Sequence, residues 1–325
     1  MARHPDSPRC SRILLTAAVV CVASAAIPAL ADQKAAASAA RPPEPMTSLW
    51  VEPADPAARD LFYGPGGKRL VPRTDVAYQF RKEDTTGHSG GYDVEDPDGR
   101  KWDVKIGDEA QSEIVVSRIL WAIGYHQPAI YYVPRWRMAG GPTEMPKPGR
   151  FRLKSDHKKE GDWSWKQNPF VGTRPFRGLL VANVLLNNWD LATSNNRIYR
   201  LKDARGPGAT WYVVQDVGAG LGGTLWTLGS RNNLRDFENQ DFVTAAKNGR
   251  VKFDYHSGHK GLLSEITAAD VVWTCRLMAR LSDRQLHDAF RAAGYPQDVA
   301  DRFVRKIEQK IQEGLALATQ PGEAG

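Results

Sequence analysis

Cysteine is scarce: Cys10, Cys21 and Cys275 are the only three in 325 residues. No disulfide framework of the kind that staples small secreted domains can therefore be read into the chain. Long apolar runs are missing too. The one that stands out, residues 13–27, falls short of the ~20 residues that a membrane-spanning helix needs. No zinc-finger spacing, heptad run, internal repeat or alternation of aromatic with basic residues is present. Nothing supports a specific nucleic-acid module, a coiled coil or a solenoid.

What is there begins with a processing signal. Arg3, Arg9 and Arg12 precede the apolar run, and Ala29-Leu30-Ala31 follows it. That order is expected of a secretory signal peptide over residues 1–31, cut before Asp32, which places the mature protein in the periplasm or outside the cell. A retained anchor and lipid attachment at Cys21 are the alternatives. Cleavage leaves no transmembrane anchor and leaves Cys275 alone, without an internal disulfide partner. Losing three arginines and one aspartate with the leader lowers the formal +7 to about +5, a mild excess that suits anionic ligands without singling out nucleic acid. Residues 32–45, rich in Ala and Pro, read as a flexible leader. The remaining stretch, about 280 residues from Met46, is enough for one two-lobed domain.

Residues 187–223 carry the densest signal. Asp190 and Asn195 stand in a D-x-x-x-x-N spacing. Residues 197–201 and 210–215 then read as strands joined by a Gly- and Pro-containing loop, and Asp216 follows in an Asp-Val-Gly turn. Such a hairpin with an acid at each end has the parts for holding a hydroxyl and for meeting a divalent cation with carboxylate and amide oxygens. Ordinary turn chemistry is the competing explanation for the same residues.

Upstream, residues 77–83, 92–95 and 100–106 read as three strands. A loop containing Gly87, Gly90 and Gly91 joins the first two, and Asp-Pro-Asp-Gly joins the next. Glycines there let backbone N–H groups approach phosphate oxygens, although a plain hairpin loop has the same composition. In the third strand Trp102, Val104 and Ile106 share one face and Lys101, Asp103 and Lys105 the other. A helix apolar nearly all round runs from residue 109 to Gly124. Residues 131–133 and 151–153 complete the sheet, and residues 176–186 form a buried helix. Residues 156–170, with Trp163 and Trp165, read as an insertion near the cleft or packed on the surface. The run 218–223 reads as mobile, part of a lid. Two or three terminal helices follow, over residues 268–281, 283–293 and 297 to about 316, with Thr267 and Ser282 as N-caps. Asp254, His256 and His259 have too generic a spacing for a metal site.

Taken in order, these motifs resemble the protein-kinase-like superfamily: a third-strand Lys, a Glu on the next helix, D-x-x-x-x-N, a hairpin and an Asp-x-Gly turn. No His-Arg precedes Asp190, Ala192 stands where a Lys is usual, and Val217 replaces Phe. The resemblance is therefore to an atypical branch, such as the HipA-type or secretory-pathway kinases. It implies an α+β fold of two lobes, a small antiparallel-sheet N-lobe over residues 46–155 and a mostly helical C-lobe over residues 156–320. It implies ATP or another nucleoside triphosphate with Mg²⁺ or Mn²⁺ as cofactors, and a hydroxyl-bearing acceptor as partner. By the same resemblance Lys105 contacts phosphates and is oriented by Glu113, with Glu109 as the second choice. Gly87, Gly90 and Gly91 cover the phosphates, Asn195 and Asp216 hold the metal, and Asp190 aligns the acceptor. A pseudokinase-like binding module without turnover and a non-kinase envelope protein are the alternatives.

Overall fold

The computed structural model describes residues 44–85, 89–154, 156–204, 206, 209–224 and 229–319. The expected signal peptide, most of the leader and Gly87 lie outside them.

Six strands form the first sheet: β1 (Ala77–Asp84), β2 (Gly91–Glu95), β3 (Lys101–Ile106), β4 (Ile130–Val133), β5 (Arg137–Ala139) and β6 (Gly149–Leu153). Their order is β4-β6-β3-β2-β1-β5. All neighbours are antiparallel except β1 and β5, which run parallel. The period of two decides what each face does. Tyr78, Val94, Trp102, Val104, Tyr131 and Phe151 point to one side and form a small aromatic core. There Trp136 and Phe151 meet edge to face at 5.0 Å, the arrangement that ring quadrupoles prefer. The β2–β3 turn is fixed by Asp96, whose Oδ1 accepts from the N–H groups of Asp98 (3.0 Å) and Arg100 (2.9 Å), with Gly99 at φ 78°.

Helix α1 (Glu109–Ala122) follows β3. Its sequence is apolar nearly all round because it is covered nearly all round: it packs between the sheet and α6 (Asp283–Ala292). Gly124, at φ 107°, ends it.

The remaining elements are mostly helical. Helix α2 (Arg174–Leu185) is capped by Thr173, α5 (Ala268–Met278) by a Thr267–Asp270 capping box, and α6 by a Ser282–Gln285 box. Helix α7 (Gln297–Ala316) packs on α5 and α6. A second sheet joins β7 (Lys158–Gly161) to the hairpin β8 (Asn196–Arg200) and β9 (Thr210–Val214). Short elements α3 (Leu234–Asn239), β10 (Val243–Lys247), β11 (Arg250–Phe253) and α4 (Lys260–Leu263) lie between.

Two expectations change. Trp163 and Trp165 neither line a cleft nor sit on the surface: both are buried in the larger core, and Trp163 Nε1 donates to the Val213 carbonyl at 3.1 Å. Their rings buttress β9 through Tyr212 and α2 through Phe176. The run after Asp216 is also held. Val217, Ala219 and Leu221 are buried, and Leu221 N–H donates to the Leu186 carbonyl at 2.9 Å. No helix among the described residues is long and apolar enough to cross a membrane.

Candidate active site

Strand alternation aims Lys105 away from the aromatic core, toward α1 and the end of β9. Its Nζ lies 3.1 Å from Glu113 Oε2, 3.2 Å from Glu109 Oε2 and 2.7 Å from Asp216 Oδ1. Both helix carboxylates reach it because four residues bring a helix back to the same face. Burial alone would lower the pKa of this ammonium. The carboxylates of Glu113 and Asp216 outweigh that and hold it above the usual lysine range.

Glu113 is fully buried, and its other oxygen meets Arg150 Nε at 3.0 Å. Arg150 stands directly across from Lys105 on β6, as Arg152 stands across from Asp103. Asp103 accepts from Arg150 (2.6 Å) and lies 3.1 Å from Arg152, and these two cations keep its carboxyl far below the usual range despite burial. Glu109 is bound on its other side by Arg231, 2.6 Å away, and Ser89 Oγ donates to it at 3.1 Å. Arg231 in turn lies over the Trp189 ring, next to Asp190 in the chain.

The second half of the site is set by backbone. The N–H groups of Gln215 (2.9 Å) and Asp216 (3.2 Å) both donate to the Asn195 carbonyl, so the two ends of the β8–β9 hairpin are clamped together. Asn195 ends a 3₁₀ turn (Thr193–Asn195), and its Nδ2 donates to the Asp190 carbonyl at 2.8 Å. The Asp216 carboxylate is 38% exposed, and its pKa is lowered: burial would raise it, but the charge and hydrogen bond of Lys105 prevail. After it Val217 is buried completely, and a Cβ at Gly218 would come within 2.7 Å of Glu109 Cβ. Ser112 Oγ donates to the Gly218 carbonyl at 2.6 Å, so α1 and the Asp-Val-Gly turn are one packed unit.

Lys105, Asn195 and Asp216 wall a cleft of about 400 Å³, together with Ser89, Gly90 and Arg152. Asp190 stands outside those walls and is tied to them through Asn195. The glycines differ. A Cβ at Gly91 would strike the Val104 carbonyl, so packing between strands already requires glycine there. At Gly90 a Cβ meets only ordinary contact, 3.6 Å from the Asp84 carbonyl.

Hard oxygen donors face this cleft. The Asn195 amide nitrogen is committed to the Asp190 carbonyl, so the amide oxygen is the atom of this side chain left to act as a donor, and Asn195 lines the same cleft as Asp216. Among the described residues no group of three or more His, Cys, Asp or Glu could hold a metal by itself. Such a donor set fits Mg²⁺ or Mn²⁺ arriving with phosphate oxygens and water to complete the shell. His256 and His259 are not brought together as ligands: His259 Nε2 is bonded to the Leu191 carbonyl at 2.8 Å.

Sequence reasoning missed Arg150, Arg152, Arg231 and the partnership of Asp103. The alternation Arg-Phe-Arg-Leu in residues 150–153 was the signal that two cations share the face of Lys105.

No family model matches the chain, and no curated protein matches it in sequence. Among solved structures it is similar to the crystal structure of a Helicobacter pylori proinflammatory kinase, CtkA. The TM-score is 0.50 and the identity 11%, over 76% of this chain and 98% of that one. The likeness is one of fold, and by it this α+β chain has a kinase-like fold.

Proposed function

We propose that the protein is an exported kinase-like phosphotransferase. It would use a nucleoside triphosphate with Mg²⁺ or Mn²⁺ and phosphorylate a hydroxyl of an acceptor. The observation that carries this reading is the convergence of Lys105, Asn195 and Asp216, from β3, the 3₁₀ turn and the turn after β9, on one cleft, with the buried Glu113 of α1 holding Lys105 from behind. In this reading the six-stranded sheet with α1 is the smaller of two lobes and the helical remainder the larger. The departures around Asp190 favour, in this reading, an atypical branch such as the HipA-type or secretory-pathway kinases.

The metal-bound triphosphate supplies the phosphoryl group and the electrophilic phosphorus. Lys105, kept protonated by its carboxylates, meets the phosphate oxygens, and Glu113 keeps Lys105 in place. Asp216 and the Asn195 amide oxygen would hold the cation, which would neutralise charge on the phosphates. Asp190 orients the acceptor hydroxyl and takes its proton, so that catalysis rests on positioning and charge neutralisation. The pattern of residues 1–31 supports the export part of this reading.

A binding module without turnover is the second reading, favoured by the position of Asp190 outside the cleft walls. Phosphoryl transfer separates them. Wild-type protein incubated with labelled ATP, Mn²⁺ and a hydroxyl-rich acceptor mixture, or allowed to label itself, should transfer phosphate, and Asp190→Asn should abolish transfer while still binding nucleotide. Binding without transfer in the wild type would support the module instead.

A further inference from the structure

The sheet face that roofs the cleft is a lattice of charge. Asp93, Asp103 and Arg152 lie opposite one another across β2, β3 and β6, and Lys105 and Arg150 form the next row. Lys154 closes on Asp93 at 2.5 Å. The opposite wall brings Ser194, Asn195, Arg197 and Asp216. Tyr92 and Val104 also line the cleft, but strand alternation turns their side chains to the aromatic core on the other face of the sheet. The Tyr92 ring is 6.3 Å from Trp136 in the aromatic core, and Val104 is 2% exposed on that same face. Among the described residues, therefore, no aromatic ring and no aliphatic side chain faces this cleft.

That composition discriminates between the two halves of a nucleoside triphosphate. A base entering the cleft would give up the hydration of its faces without gaining an apolar or aromatic wall. Two polar groups of the lining, Asp103 and Arg150, are committed to each other at 2.6 Å. A polyphosphate chain meets the opposite situation. Lys105, Arg152 and Arg197, although each is paired with a carboxylate, keep 12%, 15% and 23% of their side chains exposed. The open backbone at Gly90 and the oxygens of Asn195 and Asp216 complete a polar lining whose carboxylates, Asp84, Asp93, Asp103, Glu109 and Asp216, call for a cation to accompany the phosphates. We propose, resting on the phosphotransferase reading above, that the cleft selects its donor by the polyphosphate chain and its cation and does not read the base. Inorganic tripolyphosphate then occupies it as readily as a nucleoside triphosphate.

Calorimetric titration of the whole protein in excess Mn²⁺ with ATP, GTP, UTP and tripolyphosphate tests this. The four dissociation constants should agree within about threefold, and tripolyphosphate should displace ATP, since contacts shared by all four ligands contribute equally to each affinity. ATP binding more than about tenfold tighter than the other three would overturn base-blindness while leaving the phosphotransferase reading intact. Tripolyphosphate that binds without displacing ATP overturns it equally, because it then lies elsewhere. If none of the four binds, the phosphotransferase reading falls and the proposal with it.

Discussion

Lys105 Nζ lies 2.7 Å from Asp216 Oδ1, across 111 positions of sequence. This contact joins β3 to the end of β9 and closes one wall of the cleft on the other. Lys105 also keeps Glu109 and Glu113 within 3.2 Å, so its charge is compensated whether or not Asp216 turns to another cation.

Glu113 should be the costliest of these carboxylates to remove. It is fully buried between Lys105 and Arg150, and truncating one partner of a buried pair leaves charge uncompensated. Glu113→Ala should lower unfolding stability by about 3 kcal/mol, read from the urea midpoint. Glu113→Ala with an unchanged midpoint would show that the pair is structurally dispensable.

The two described glycines of the first loop should differ in how much they tolerate a side chain. Gly91→Ala drives a Cβ into the Val104 carbonyl at the end of the β2–β3 pairing, whereas Gly90→Ala enters ordinary contact distance. Melting curves should show a fall of more than ~5 °C for Gly91→Ala and less than ~2 °C for Gly90→Ala. Equal shifts would contradict the packing derived for β2.

Lys310 on α7 should give the fold a pH dependence. It is completely buried, donates to Asn187 Oδ1 at 2.8 Å and to the Leu185 carbonyl at 3.3 Å, and lies over the Phe237 ring. Burial, reinforced by the Lys306 charge, lowers its pKa from 10.5 to about 7. A lysine whose folded pKa is depressed binds its proton less tightly when folded. Between about pH 7 and the unfolded value the unfolded chain holds more protons, and stability rises with pH. The slope contributed by this group approaches about 1.4 kcal/mol per pH unit. Denaturation of wild type and Lys310→Met from pH 6.5 to 9 should show the rise in the first and its loss in the second. A parallel pair of curves would mean that Lys310 stays charged.

Much of this was legible in the sequence, because it is written in local periods. The alternation of β3, the continuous apolar surface of α1, the hairpin ending at Asp216 and the caps at Thr267 and Ser282 all depend on neighbours within a few residues. So does the reach of Glu109 and Glu113 to a common point. What stayed hidden depends on register between distant segments. Arg150 meets Glu113 only because β6 pairs with β3 residue for residue, and Arg231 reaches Glu109 across 122 positions. The parallel edge pairing of β5 has no local signature, and β7 is too polar and short to announce itself. Trp163 and Trp165 read as an unpatterned insertion because their burial is supplied by β9 and α2, not by their own segment.

The most direct test of the kinase-like site is calorimetric titration of Mn²⁺–ATP into wild type, Asp216→Asn and Asp190→Asn. Asp216→Asn keeps the shape after β9 but removes the one carboxylate that, among the described residues, shares that wall with Asn195. Its melting temperature should fall by no more than about 3 °C, since Lys105 retains two other carboxylates and the Asp216 carboxylate is partly exposed to solvent. Its affinity for the metal–nucleotide should fall at least about tenfold, while Asp190→Asn binds like wild type. Asp216→Asn binding metal–nucleotide as tightly as wild type would contradict the assignment of this hairpin as the metal-binding half of a phosphotransferase site.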